Sequence, residues 1–178
     1  MSPIRQKVTF DKNLLDQDAL KILKKLINSG YEAYLVGGCI RDILLGHKPK
    51  DFDIATSATP EQIHKLFKRS RIIGRRFKLV HIIFSARKFI EVATFRAGSV
   101  KTSSDGLILR DNYYGTLKDD VFRRDFTVNG LYYDIKKSEV IDYVDGLKDL
   151  EILKINMIGN PSERFEEDPV RMIRAVRF

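Results

Sequence analysis

The chain has 178 residues, of which 43% are apolar and 31% charged, so it is long enough to bury one core and we expect one domain. Its net charge of +8 favours a polyanionic partner. The single Cys39 excludes an internal disulfide, and the lack of an apolar run of signal-peptide or membrane-span length predicts a cytoplasmic protein.

The first part of the chain is predicted to alternate helices with strands, because apolar residues recur first at helical and then at strand spacing. Asparagine favours a helix start and glycine a helix end, which sets the limits of the first helix. In chain order, the predicted elements are a loose or lightly docked N-terminal arm (1–12), a helix capped by Asn13 and ended by Gly30, a strand (32–37), a helix (39–45) and a strand carrying Asp51 and Asp53.

Thr59, Pro60 and Gln62 have the pattern of a capping box with proline in the first turn, so a helix is predicted to begin there. Beyond it, apolar alternation and turn residues define the remaining elements. These are strands at 71–74, 79–84 and 89–95, a polar loop at 97–106, a helix at 119–129, a hairpin of 131–134 and 140–143, and a helix at 168–178.

The segment PKDFDIATSATP places two carboxylates, Asp51 and Asp53, two residues apart. If Phe52 and Ile54 mark a strand, both carboxylates lie on one face, roughly 7 Å apart at their α-carbons. Such a pair is tolerated if one group is protonated, if both are solvated, or if a divalent cation lies between them. Glu91, on a later apolar strand, could face them and complete a two-metal site, or it could be an ordinary solvent-facing residue.

Two glycines and two arginines could bind a nucleotide. Gly37-Gly38, between a strand and a helix, could bring backbone amides close to a phosphate, although a plain tight turn has the same sequence. Arg41 could clamp a triphosphate or pair with a nearby aspartate. Arg124 and Asp125, followed by Asn129, could bind ribose or phosphate, or form a surface ion pair.

Near the end of the chain, Asp168 and Arg171 are three residues apart, so on a helix they share one face. They could neutralise each other or together read the edge of a base. His47, His64 and His81 lack metal-ligand spacing, and structural or surface roles are expected for them.

No acidic residue lies between Glu61 and Glu91, a stretch that contains nine lysines and arginines. This basic strip could bind a nucleic-acid backbone through salt-sensitive phosphate contacts, or it could be a solvated basic face. The residues assigned to RNA binding are Lys65, Lys68, Arg69, Arg75, Arg76 and Lys78.

Several ordered motifs resemble one family, the class II nucleotidyltransferases that extend RNA 3′ ends. These motifs are LVGGCIRDILLG, KDFDIATSATP, IEVATFR, RRDFTVNGLYYD, VIDYVDGLKDL and EDPVRMIRAVRF. The family includes the bacterial poly(A) polymerases and the CCA-adding tRNA nucleotidyltransferases. The resemblance implies an α/β (α+β) head of the polymerase β type, with a mixed, mainly antiparallel sheet flanked by helices. It also implies a catalytic head at 13–150 and the start of a truncated neck at 151–178, so weak or absent polymerisation is expected of this piece alone.

The resemblance also implies roles for individual residues. Asp51 and Asp53 are expected to bind two Mg²⁺ ions, with Mn²⁺ as an alternative, and Glu91 is expected to be the third catalytic carboxylate. Glu167, Asp168 and Arg171 form the motif that recognises the base. The full nucleotide-binding set is Gly37, Gly38, Arg41, Arg124, Asp125, Asn129, Glu167, Asp168, Arg171 and Arg174.

The segments SRIIGRRFKLVHIIF and LILRDNYYGTLKDDVFRRDFTVNGLYYD are more similar to bacterial poly(A) polymerases than to CCA-adding enzymes. The expected reaction is therefore template-independent transfer of AMP from ATP to RNA 3′-hydroxyl ends, with release of pyrophosphate. The expected partners are ATP and RNA 3′ ends, and no membrane. The alternatives are CCA addition to tRNA, nucleotidyl transfer to a small molecule, and a non-catalytic RNA-binding module.

Overall fold

The computed structural model describes residues 2–75, 78–97 and 114–178, and the backbone alone at 101–102 and 108–110. The strands in these residues are β1 (Ile4–Lys7), β2 (Ala33–Val36), β3 (Asp53–Thr56), β4 (Ser70–Ile73), β5 (Leu79–Ser85), β6 (Lys88–Thr94), β7 (Lys101–Thr102), β8 (Ile108–Arg110), β9 (Tyr132–Asp134) and β10 (Glu139–Asp142). The helices are α1 (Gln17–Asn28), α2 (Gly38–Leu44), α3 (Pro60–Leu66), α4 (Leu117–Phe122), α5 (Gly146–Glu151), α6 (Pro161–Glu167) and α7 (Val170–Arg177).

Eight of the described strands form one sheet in the order β1-β10-β9-β2-β3-β6-β5-β4, and β7 pairs separately with β8. Neighbours in the large sheet are antiparallel except for β3 and β6, which run parallel. The predicted mixed, mainly antiparallel sheet flanked by helices is confirmed. No helix in the described ranges is both long enough and apolar enough to cross a lipid bilayer.

Apolar side chains are buried on both faces of the sheet, because successive residues of a strand point to opposite faces. On one face, α1, α2 and α3 contribute Ile22, Ile40 and Ile63, each at most 1% exposed. A second cluster forms around Val121 of α4 and Tyr132 of β9. The helix predicted from Thr59 and Gln62 begins with the expected capping box.

The N-terminal segment is docked on the sheet as an edge strand, more firmly than the loose or lightly docked arm expected for residues 1–12. Ile4–Lys7 pairs antiparallel with β10, and the ring of Phe10 packs on that of Tyr133 with centroids 4.3 Å apart. All four residues of β1 are exposed. An edge strand exposed on both faces needs no apolar alternation, so periodicity does not reveal it.

The first helix begins later than its sequence pattern predicted, so the assignment of Asn13 as its cap is wrong. Asp16 caps α1 by accepting hydrogen bonds from the backbone N–H groups of Asp18 and Ala19, at 2.8 and 3.0 Å. Asn13 instead donates its backbone N–H to Asp11 in the preceding turn, at 2.9 Å. Aspartate caps a helix as well as asparagine does, so residue type alone does not favour Asn13 over Asp16.

Two further helix predictions need correction. The helix predicted at 119–129 is interrupted, because α4 ends at Phe122 and a separate 3-10 turn forms at Thr127–Asn129. Asp168 lies between α6 and α7 with an extended backbone, at φ −149° and ψ 93°. Because Pro169 disfavours the helical conformation of the residue before it, Asp168 and Arg171 do not share a helix face.

Candidate active site

Two adjacent strands bring predicted carboxylates side by side. β3 begins at Asp53, and in the parallel pairing of β3 with β6 this residue is the register partner of Glu91. Asp51 lies two residues before β3, so only one of the two aspartates is on the strand. Together with Asp16, these three acids line one cavity of about 460 Å³.

The acids share this cavity without forming a ready-made metal-binding cluster. Among the residues that the structure describes, no group of three or more Asp, Glu, His or Cys side chains is placed to hold a metal ion. Like charges repel, and Glu91 is turned toward His81, whose Nε2 lies 3.1 Å from Glu91 Oε1. His81 was predicted to have only a structural or surface role, and its contact with Glu91 depends on the pairing of β5 with β6.

The negative charges of the two predicted aspartates, Asp51 and Asp53, are not neutralised by an ion pair among the described residues. No ion pair in the described ranges involves Asp51 or Asp53. The pKa of Asp53 is raised to about 6, first by its partial withdrawal from water and then by the charge of Glu91, while Arg124 acts in the opposite direction. Hard carboxylate oxygens with unmatched negative charge are the donors that Mg²⁺ prefers, so the residues fit a divalent cation.

Without added divalent cation, Asp53 should make the protein less stable as the pH rises from 3.8 to about 6. In this window the folded state binds the proton that the unfolded state has already lost, so the free energy of unfolding falls with rising pH. Melting temperatures measured by calorimetry across this pH range should fall less with rising pH in Asp53→Asn than in wild type. Asp11→Asn, an exposed aspartate outside the cavity, should keep the wild-type slope, and an unchanged slope in Asp53→Asn would contradict the assignment.

The glycine turn lies directly beside Asp53, because β2 pairs with β3 and Val36 is the partner of Asp53. Gly37 has φ +78° and ψ −137°, a conformation in which a side chain would be strained. A Cβ atom built on Gly37 would lie 3.6 Å from Nη1 of Arg124. The turn therefore presents its backbone next to a guanidinium group.

Arg124 is held by a buried polar network. Its Nε donates to the Tyr132 hydroxyl at 2.7 Å, its Nη2 donates to Asp120 at 3.1 Å, and Tyr132 also bonds to Asp120. Asp120 is 1% exposed and also binds Arg123. Burial alone would raise the pKa of Asp120, but the charges of Arg124 and Arg123 outweigh it and lower that pKa. Sequence reasoning missed Asp120, although its i,i+4 spacing to Arg124 was an available signal.

A chain of hydrogen bonds joins α2 to α7. Arg41 Nη1 donates to Asn129 Oδ1 at 2.9 Å, and Asn129 Nδ2 donates to Asp125 at 3.4 Å. Asp125 accepts in turn from Nε of Arg174, at 2.7 Å. Arg41 also pairs with Asp42 at 2.7 Å, one of its predicted alternatives, whereas the predicted surface pair of Arg124 with Asp125 is replaced by these other partners.

Helix α7 and the preceding Asp168 complete a second cavity of about 310 Å³. It is lined by Arg123, Arg124, Asp125, Asp168, Val170, Arg171 and Arg174. Arg171 pairs with Glu167 at 2.8 Å, so the neutralising partner is Glu167 and not Asp168. Arg164, absent from the predicted set, donates to the carbonyls of Arg123 and Arg124 at 2.7 Å each and attaches α6 to this cavity. Five of the ten predicted nucleotide-binding residues therefore line this cavity, namely Arg124, Asp125, Asp168, Arg171 and Arg174.

The described lysines and arginines of the basic strip do not form one continuous surface site. Lys65, Lys68 and Arg69 line a separate groove between α1 and β5, whose floor includes Phe67 and Phe84. Lys78 pairs with Glu61 at 3.3 Å, and Arg75 is exposed. Arg76 lies outside the described residues, as do positions 98–100 and 103–106 of the predicted polar loop.

Comparisons with solved structures define the class of this fold. The chain is similar to the Bacillus stearothermophilus CCA-adding enzyme in complex with CTP, with a TM-score of 0.74 and 38% identity over 91% of this chain and 38% of that one. It is also similar to the Thermotoga maritima CCA-adding enzyme complexed with tRNA, with a TM-score of 0.73 and 26% identity over 98% of this chain and 40% of that one. The fold is therefore that of a nucleotidyltransferase head.

Residues 33–156 match the family described as the poly(A) polymerase head domain, and the chain belongs to this family. It is 54% identical to poly(A) polymerase I of Haemophilus influenzae, over 95% of this chain and 42% of that protein. It is 40% identical to the CCA-adding enzyme of Bacillus pumilus, over 90% of this chain and 39% of that protein. The chain spans about two fifths of the length of these curated relatives.

Proposed function

We propose that this chain is the catalytic head of an enzyme that transfers AMP from ATP to RNA 3′-hydroxyl ends without a template. The observation that carries the proposal is the register pair of Asp53 and Glu91, which lies in an acidic cavity next to the Gly37 turn. The higher identity to poly(A) polymerase I of H. influenzae than to the CCA-adding enzyme of B. pumilus supports AMP as the transferred group.

The triphosphate is proposed to bind on the β2 side of Asp53. Gly37 is buried and donates its amide to the Leu131 carbonyl, whereas Gly38 is half-buried. A Cβ atom built on Gly37 would lie 3.6 Å from Nη1 of Arg124 and one on Gly38 3.6 Å from Nη2 of Arg41, so both guanidinium groups supply positive charge close to the turn. Because Arg124 is already oriented by Asp120 and Tyr132, little side-chain entropy is lost when it binds a phosphate.

The ribose and base are proposed to occupy the second cavity. Asp125 offers an acceptor beside Arg124, and Asp168 and Arg171 line the same cavity. A carboxylate and a guanidinium together supply acceptors and donors that can match the edge of one base. Glu167 orients Arg171 through their ion pair.

Asp51 and Asp53 are proposed to hold divalent cations, Mg²⁺ in the first instance, with Glu91 as the neighbouring third carboxylate. Bound there, the cations would supply Lewis acidity that favours an ionised 3′-hydroxyl and neutralises developing charge on the triphosphate. The protein places these acids by strand register, while Gly37 and Arg124 orient the phosphates. In the reaction the 3′ oxygen bonds to the α-phosphorus, the bond from the α-phosphorus to the β-phosphate oxygen breaks, pyrophosphate leaves, and the hydroxyl proton passes to solvent.

The exposed cations Lys65, Lys68 and Arg69 are proposed to add sequence-independent attraction for RNA phosphates. Such contacts weaken as salt rises, because binding releases counterions from the RNA.

CCA addition is the second candidate, and the fold similarity to a CCA-adding enzyme in complex with CTP favours it. The complete protein should be incubated with an RNA oligonucleotide or a truncated tRNA and each nucleotide separately. Long tails made from ATP alone support AMP transfer, whereas CTP incorporation on the truncated tRNA supports CCA addition. RNA binding without any incorporation would leave a non-catalytic module.

A further inference from the structure

The acceptor RNA has to approach this site from the side opposite the leaving pyrophosphate, because the attacking and leaving oxygens lie roughly in line in phosphoryl transfer. Gly37 and Arg124, proposed for the triphosphate, lie on the β2–β9 side of Asp53. In the sheet order, β3 has β2 on one side and β6 followed by β5 on the other. The acceptor side is therefore the side of β6 and β5.

An exposed aromatic ring lies on this acceptor side, inside the acidic cavity. Phe89 is two residues before Glu91 on β6, so both side chains are on the same face. The residue is 51% exposed, although phenylalanine is normally among the most buried residue types. One face of its ring stacks on His81, with centroids 4.1 Å apart and an interplanar angle of 16°. Because His81 also bonds to Glu91, the ring is held at a set position relative to that acid.

Two exposed cations line the same cavity. Lys50 precedes the aspartate pair, and Arg87 lies in the turn between β5 and β6. Within the part of the chain that the structure describes, no ion pair involves either of them. Lys88 differs, because Asp16 and Asp18 hold it at 2.8 and 2.7 Å. The lining of the cavity therefore combines carboxylates, an exposed aromatic ring and two cations without an ion-pair partner among the described residues.

We propose that the base of the 3′-terminal nucleotide of the acceptor RNA stacks on Phe89, while Arg87 and Lys50 bind the adjoining phosphates. This inference rests on the proposed function and identifies where its second substrate binds. An aromatic platform accepts any base, because every base has a π-face, and cations along the backbone add affinity that does not depend on sequence. An acceptor held by stacking and phosphate contacts suits an enzyme that extends RNA without a template.

The first test compares Phe89→Ala and Phe89→Trp with wild type in the complete protein, using ATP and a short oligoadenylate. Loss of one stacked base should raise the KM for RNA about tenfold to a hundredfold. The KM for ATP and kcat at saturating RNA should change little, because stacking stabilises the ground state and the transition state alike. Phe89→Trp should keep the wild-type KM for RNA, because tryptophan provides a ring on which the base can stack. Phe122→Ala removes an exposed phenylalanine of α4, 47% exposed and outside the cavity, and should behave as wild type.

The second test separates stacking from a general disturbance of the cavity. An oligoadenylate whose 3′-terminal nucleotide lacks its base should bind wild type as weakly as normal RNA binds Phe89→Ala. Combining the abasic RNA with Phe89→Ala should weaken binding no further, because both changes remove the same stacking interaction. The proposal would be overturned if Phe89→Ala and Phe122→Ala had the same KM for RNA. It would also be overturned if abasic RNA bound Phe89→Ala more weakly than normal RNA does, by the same factor as in wild type.

Arg87→Ala provides a separate measure of phosphate binding. The slope of log affinity for oligoadenylate against log salt concentration should become shallower by about 0.7 for each phosphate of a single strand that the variant no longer neutralises. Arg5→Ala, an exposed arginine on β1 at the far edge of the sheet, should keep the wild-type slope. Equal slopes in Arg87→Ala and Arg5→Ala would contradict the assignment of Arg87. If Asp53→Ala retained full activity, the proposed function would fail, whereas normal RNA binding by an active Phe89→Ala enzyme would remove only this inference.

Discussion

Asp53→Ala should lower kcat for AMP transfer in the complete protein by on the order of a thousandfold or more. A cation-holding carboxylate contributes several kcal/mol of transition-state stabilisation, and each 1.36 kcal/mol corresponds to about a factor of ten in rate. The fold should remain intact, because ionised Asp53 is partly withdrawn from water and lies close to the charge of Glu91, both of which disfavour its ionised form and raise its pKa. Single-turnover rates with ATP and oligoadenylate, together with melting temperatures, measure both effects.

Asp11→Ala is the control, because it removes an exposed aspartate from a turn outside the cavity. It should match wild type in rate. Calorimetric titration with Mn²⁺ gives a readout independent of turnover, and Asp53→Ala should bind the ion more weakly than Asp11→Ala does. Equal rates for the two variants would show that Asp53 is not catalytic.

Asp120→Ala should lower the free energy of unfolding by about 3–5 kcal/mol, the usual cost of removing one partner of a buried ion pair. Asp120 is 1% exposed and accepts hydrogen bonds from Arg124, Arg123 and Tyr132. Its removal leaves the guanidinium of Arg124 without its charged partner, so Arg124 should no longer be held beside Gly37. Urea unfolding followed by circular dichroism measures the change in stability.

Asp119→Ala is the matched control on the same helix. Asp119 accepts hydrogen bonds from the N-cap residue Thr116 at the exposed start of α4, and removing these bonds should cost only about 1 kcal/mol. A destabilisation of equal size in the two variants would mean that the buried network is not what stabilises this region. Adding Arg124→Ala to Asp120→Ala should cost less than the sum of the single changes, because the two groups are partners.

Elements defined by a few neighbouring residues were predictable from the sequence. α3 begins at its predicted capping box, and β5 and β6 lie within a few residues of the predicted strands, because capping and apolar alternation act over short windows. The sequence also indicated that Glu91 could face the aspartates from a later strand, and Asp53 and Glu91 do lie on adjacent strands.

Other features depend on partners that are distant in the chain. The edge strand β1 was missed because its pairing partner β10 comes more than a hundred residues later and its own residues carry no apolar pattern. His81 received no role because its contact with Glu91 requires the registered pairing of β5 with β6.

The sequence alone therefore determined the helices and strands whose signals are local, the family of motifs, and the acidic and basic residues among which a site had to be sought. The tertiary structure decided which of these residues meet. Asn129, 88 positions from Arg41, orients it, while Asp120 rather than Asp125 holds Arg124. Hydrogen bonds and ion pairs act only over a few ångströms, so their partners are chosen by strand register and helix packing, which no short window of sequence contains.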